Sequence, residues 1–178
     1  GRYILRNLKV LCLVLVATMA ASFSVASVAE SKIAVVDVAQ AIFGSNAAQE
    51  RIKQAQTNAD FVALKAKFES SVADYQSLGK EAETKRLTWS QEQAQSHQKK
   101  MEYVKADAEL ARQKIQAEQK QLEQQIMQEL GPKAQEALTA VVKEEGVTIL
   151  LRADAVLIAG QESNLTAKVA DRLNKMTK

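Results

Sequence analysis

The sequence predicts a mainly α-helical α+β protein, a small β body interrupted by a long inserted antiparallel helical hairpin. Three observations lead there. "KIAVVDV", Lys32 to Val38, is a short run of β-branched and aliphatic residues bounded by polar sequence, the pattern of a buried strand. "EEGVTILLRADAVLIAGQES", near the other end, is equally rich in strand-forming residues. Between them runs charged, glutamine-rich sequence whose apolar residues recur at helical spacing.

The first 29 of the 178 residues read as a secretory signal peptide. Arg2, Arg6 and Lys9 precede an apolar run from Val10 to about Ala21, and Ser27-Val28-Ala29 offers small residues at the cleavage positions. That run is shorter than the roughly 20 apolar residues a spanning helix needs. Three of the 24 basic residues belong to this leader and all 21 acidic ones follow it, so the remainder carries equal numbers of both signs. The basic pI therefore implies no general attraction for nucleic acid, which requires cations concentrated on the mature surface. Cys12 is the only cysteine and lies in the leader, which excludes disulfides and thiolate chemistry from the mature chain and suits an oxidising compartment.

Residues 30–178 read as one domain, with body segments 30–46 and 131–178 and a helical hairpin at 47–130. After the first strand, a short helical turn through Ala41 to Phe43 ends at Gly44, and Ser45 and Asn46 offer N-caps for a long helix. Phe61, Leu64, Phe68, Val72, Tyr75 and Leu78 form a narrow apolar seam on it. The pattern loosens after Gly79, placing a reversal between about Lys80 and Ser90, with Thr88 and Ser90 as new caps. The second arm repeats the seam with Val104, Ala108, Ala111, Ile115, Leu122, Ile126 and Leu130, and is expected to end or kink at Gly131-Pro132. Two arms of about 40 residues, each roughly 60 Å long, imply an antiparallel hairpin.

A further amphipathic helix, "KAQEALTAVVKEEG", buries Ala137, Leu138, Val141 and Val142 and stops at Gly146. Two strands are expected next, Val147 to Leu151 and Ala155 to Ala159, turning at Arg152-Ala153-Asp154. A last helix runs from about Leu165 to Met176, capped by Ser163 or Asn164. A two-stranded ribbon is marginal alone, so the terminal strands need "KIAVVDV" to complete a sheet. Even then the core is meagre for one chain, and oligomerisation through Ile33, Val35, Val147, Ile149, Leu151, Val156 and Ile158 is the economical remedy.

These features together resemble the OmpH/Skp family of periplasmic chaperones. The likeness is carried by the leader, "KIAVVDVAQAIFGSNAAQERI", "LEQQIMQELGPKAQEALTAVVKEEGVTILLRADAVLIAG" and "NLTAKVADRLNK". It covers the mature chain and depends on order and pattern, not on a catalytic signature. The resemblance implies a homotrimer in the periplasm whose strands form an oligomeric β-barrel-like core and whose hairpins enclose a cavity. Unfolded outer-membrane β-barrel proteins would be held there, without ATP, in transit to the outer membrane. An unfolded barrel exposes alternating apolar side chains and unpaired backbone, so enclosing it prevents aggregation.

Members of that family often have strongly basic arms that attract clients and the membrane surface. Here Lys80, Lys85, Arg86, Lys99 and Lys100 are offset by Glu81, Glu83 and Glu92. The candidate client contacts are accordingly Tyr75, Leu78, Lys80, Lys85, Arg86, Leu87, Trp89, Met101 and Tyr103, with the apolar ones expected to matter more. Trp89 also has a plainer reading, packing across the reversal, which is the favoured one. The stripe through Phe61 and Phe68 reads as an interhelical seam.

Asp37 and Asp154 stand near strand ends without a His, Cys or Ser partner, so they read as turn caps and salt-bridge partners, not as an acid–base pair. His97, the lone histidine, is expected to be solvated on a polar helix, with no metal site. Asn164-Leu165-Thr166 fits a glycosylation acceptor but reads here as a helix cap. No nucleophile–base pair, phosphate loop or metal cluster supports an enzyme, and no cofactor is implied. The competing reading is a structural coiled-coil envelope adaptor, which would require larger flanking β domains than these short strands provide.

Overall fold

The computed structural model describes residues 31–178, of which Lys32–Lys178 form one compact unit. The leader, its cleavage point and Cys12 lie outside the described residues. Strand β1 (Ile33–Val36) leads into helix α1 (Val38–Phe43) through Asp37, whose carboxylate accepts from the Gln40 N–H at 2.8 Å. The same residue's N–H donates to Thr166 Oγ1 at 2.9 Å, fixing the start of α1 to the C-terminal part of the chain. Ser45 then caps α2 (Asn46–Thr57): its hydroxyl accepts from the Ala48 N–H and donates to the Ile42 carbonyl, so the buried side chain is satisfied.

The first arm is two helices, not one. Asn58 breaks it with an extended backbone (φ −61°, ψ 133°), ending α2 and starting α3 (Ala59–Lys85). Its side-chain oxygen accepts from the Asp60 and Phe61 N–H groups, an alternative to continued helix that asparagine offers its own backbone.

Pro132, in contrast, breaks nothing. Helix α4 runs unbroken from Gln91 to Glu144, 54 residues or about 80 Å at 1.5 Å per residue. The expected stop at Gly131-Pro132 and the separate helix after it are corrected accordingly. An interior proline costs about 3 kcal/mol. Against that, Ile126, Leu130, Ala134, Ala137, Leu138 and Val141 form one continuous buried stripe on both sides of it. Each large apolar side chain in such a stripe contributes about 1.5–3 kcal/mol, so burial of the unbroken helix outweighs the local penalty. α4 starts at a capping box between Ser90 and Gln93 and is terminated past its Glu145 cap by Gly146, whose φ of +63° permits the Val147 N–H to reach the Val142 carbonyl at 3.1 Å.

Strand β2 (Ile149–Arg152) pairs parallel to β1, in the register Ile33↔Ile149 to Val36↔Arg152. The second terminal strand expected at Ala155–Ala159 does not form. Residues Ala153–Ala155 make a 3₁₀ turn and the following segment is irregular. Two causes act together. Arg152-Ala153-Asp154 lacks the Gly or Asn that tight hairpin turns require, and the other flank of β1 is occupied, with Asn164 bridging Val35 and the Leu165 N–H donating to the Val35 carbonyl at 2.9 Å.

Helix α5 (Thr166–Met176) closes the body, with Asn164 Oδ1 accepting from the Thr166 N–H. Its Val169 and Leu173, together with Leu165, pack on Ile42, Ile126, Leu130 and Val141 to form the core. Glu145 at the end of α4 is bridged by Lys32 and Lys168, and these two ammonium groups hold its carboxyl down at about 2. Arg172 pairs with the neighbouring Glu144.

Among the proposed oligomer-core residues, Ile33, Ile149 and Leu151 are exposed on one face of the sheet and Ile158 is almost wholly exposed beyond it. Val147 and Val156 are half-buried. Val35 differs: it is only 5% exposed, already covered within its own chain.

Candidate functional site

Three cross-arm contacts give the hairpin its direction. Arg51 meets Glu129 at 2.7 Å near the body, Lys67 meets Asp107 at 2.7 Å halfway along, and Glu81 approaches His97 at 3.9 Å near the reversal. As the residue number rises on one arm it falls on the other, so α3 and α4 are antiparallel. Paired partners leave marks on the charges: the Arg51 guanidinium holds Glu129 below the usual carboxylate range, and Lys85 does the same to Glu81. The Arg51–Glu129 and Lys67–Asp107 pairs reach solvent, where water screens them and they add little to stability.

Between the arms the seam is thin. Phe61, Leu64, Phe68 and Val72 are half-buried, and within α3 only Ser71 and Leu78 are buried. Opposite them, Val104, Ala108 and Ile115 are half-buried and Ala111 is buried. Of the candidate contacts, Leu78 is thus withdrawn into the seam at 6% exposure, whereas Tyr75 turns partly outward.

The reversal brings the remaining candidates together. α3 ends at Lys85, the Thr88 hydroxyl donates to the Lys85 carbonyl, and the Ser90 capping box restarts the chain as α4. Leu87 lies at the turn with 91% of its surface exposed, and Tyr103 is largely exposed further along α4. Lys80, Lys85 and Arg86 are exposed, and Met101 is half-buried.

Trp89 folds back onto the first turns of α4 and stacks on His97, with ring centroids 4.4 Å apart at 36°. The histidine is therefore not the solvated residue that its polar helix implies. Its side chain is 11% exposed, and its Nε2 has no hydrogen-bond partner among the described residues. Sequence periodicity misses this contact because it depends on how the indole crosses the turn. Val62 and Leu110, both exposed apolar residues on the arms, were likewise outside the candidate set. They lie off the seam, and that departure was their signal.

A cleft of about 690 Å³ opens where the arms meet the body, floored by Phe43, Ile52, Phe61, Leu122 and Ile126. Among the described residues there is no cluster of three or more metal-ligating side chains and no helix long and apolar enough to cross a membrane.

The family model described as "Outer membrane protein (OmpH-like)" matches residues 32–173. The crystal structure of a candidate OmpH-like outer membrane chaperone from Caulobacter crescentus CB15 is similar over 82% of this chain and 85% of that one, at 17% identity and a TM-score of 0.46. No curated protein matches the chain.

Proposed function

Because the chain belongs to the OmpH-like outer membrane protein family, we propose that it is an ATP-independent periplasmic holdase for unfolded outer-membrane β-barrel proteins. The supporting observation is the contrast within the hairpin. Arms of great length hold each other by a thin seam, and they turn Leu87, Tyr103 and Tyr75 toward solvent. Such a surface suits many weak contacts with an unfolded chain, none of which needs a defined side-chain pocket. Weak contacts of this kind also break without an energy source. Several hairpins must act together to surround a client, and the exposed Ile33, Ile149 and Leu151 face provides the means of assembly. A homotrimer is the proposed state. The leader supplies the route to the periplasm.

The test is native mass spectrometry of residues 30–178 mixed with an outer-membrane β-barrel protein freshly diluted from urea. The expected result is a mass of three chains plus one client, with light scattering by the client suppressed. A stable oligomer that never retains the client would overturn the holdase reading and favour a structural adaptor.

A further inference from the structure

The seam between the arms fails at one place. α4 is unbroken there, but the opposing arm is interrupted at Asn58, so the inner sides of α2 and α3 do not follow α4 as one surface. At that break lies the 690 Å³ cleft, open to solvent on one side. Its volume falls within the roughly 300–1,000 Å³ of sites that hold ligands. Its floor is apolar and aromatic.

Its rim is of one sign. Asp60, Glu118 and Glu123 line the cleft and no lysine or arginine does. Among the described residues, none of these three carboxylates has an ion-pair partner. Elsewhere on α4, Asp107 and Glu129 are each neutralised across the hairpin. Carboxylates without an ion-pair partner among the described residues thus stand beside an apolar opening. The cleft is also lined by Gln56, Gln119, Gln121 and Gln125, whose amides both donate and accept hydrogen bonds and so match backbone N–H and C=O groups that have no partner.

We propose that this cleft binds an extended peptide segment, taking one bulky apolar side chain onto the floor while lysine or arginine residues beside it meet Asp60, Glu118 and Glu123. The identity of that segment as part of a client rests on the holdase reading; the site itself does not. It gives the chaperone one charge-selective anchoring point at the base of the arms, in addition to diffuse contacts along them.

Three fluorescein-labelled peptides of equal length test this, each with a central phenylalanine in a Gly/Ser background and flanked by lysine, glutamine or glutamate. Fluorescence anisotropy with the full mature chain should show the lysine peptide binding about tenfold or more tighter than the glutamate peptide, the sign that charge complementarity dictates. High salt should narrow that gap. Ala55→Phe, which projects a ring into the cleft, should abolish binding of all three. Glu118→Gln combined with Glu123→Gln should reduce the preference for lysine at least about threefold, leaving what Asp60 supplies, yet leave the glutamine peptide unaffected. Equal binding of the lysine and glutamate peptides would overturn the proposal, as would unchanged binding by a folded Ala55→Phe protein. Should Ala55→Phe fail to fold by circular dichroism, the double glutamine variant decides alone. Light scattering with an unfolded barrel protein separates the two readings. Suppression without charge preference defeats only the cleft, and cleft-dependent peptide binding without suppression defeats only the holdase.

Discussion

The body and the arms of this chain are built from the same helical material but are held together differently. In the body, Ile42, Ile126, Leu165, Val169 and Leu173 are essentially inaccessible and come from three separated parts of the sequence. Along the arms, full burial is limited to small or isolated side chains such as Ser71, Leu78 and Ala111, and half-buried apolar residues with a few ion pairs in contact with water make up the rest of the seam. Burial supplies most of the free energy of folding, while an exposed ion pair supplies little. The body therefore fixes the fold, and the arms are free to open at small cost. That division suits the proposed holdase, whose clients would differ in size.

Truncation in the two regions makes the comparison quantitative. Leu173→Ala, at a fully buried position, should cost about 2–5 kcal/mol and lower the denaturation midpoint of the whole chain. Phe68→Ala, in the half-buried seam, removes less contact and should cost about 1–2 kcal/mol. Amide hydrogen exchange adds the spatial test: it should accelerate throughout the protein in the first variant and within α3 and the facing part of α4 in the second. Similar global acceleration in both would mean that arms and body unfold as one unit.

The strands give a second contrast, between a side chain covered by its own chain and side chains that stay exposed. Leu151→Lys places a charge on an exposed sheet face, so the monomer should fold normally by circular dichroism while the proposed trimer dissociates in analytical ultracentrifugation. Val35→Lys buries an unpaired ammonium and should prevent folding itself. Dissociation of a still folded Val35→Lys protein would reverse this assignment and place Val35 between chains.

What could be read in the sequence follows from how local each determinant is. Ser45, Ser90 and Gly146 mark helix ends by chemistry confined to one turn, and the structure uses all three. The hairpin was equally legible, because its seam is a periodic pattern. Pro132 was misleading because the stripe from Ile126 to Val141 is buried by α1 and α5, which are distant in sequence. Ala155–Ala159 has strand composition but pairs with no strand among the described residues, and composition does not reveal whether a partner exists. The break at Asn58 had a local signal, an asparagine in a stretch where seam residues are sparse. The cleft follows from that break and was illegible without it. At the reversal, exposed Leu87 was anticipated, but burial of His97 was not, because it depends on an indole crossing a turn.

Acid should affect the two regions unequally. Glu145, held down at about 2 by Lys168 and Lys32, joins the start of β1, the end of α4 and α5 within the body. A carboxyl with a lowered folded-state pKa contributes stability that is present above its unfolded value and lost as pH falls toward the folded one. Body stability should therefore decline between about pH 4.5 and about 2. Glu145→Gln should flatten the decline over that interval, as followed by urea denaturation at several pH values. An unchanged profile would assign the acid sensitivity to other carboxylates.

The smallest effect is expected at the reversal, where a contact can be removed without loss of the fold. Trp89 is the only tryptophan in the sequence, so its emission reports this site alone. Its half-buried indole stacks on His97, which sits on α4 beside Glu81 of the other arm. His97→Ala removes the platform but none of the body's core, so the melting temperature should change by no more than about 2–4 °C. Trp89 emission should shift to the red as water reaches the ring, and iodide should quench it more effectively. If the indole is a reserve contact for clients, freeing it should tighten client binding, while Trp89→Ala should reverse that gain. A red shift without any change in client binding would make the stack purely a brace for the turn. An unshifted spectrum would mean that the indole is held by the arms themselves and not by His97.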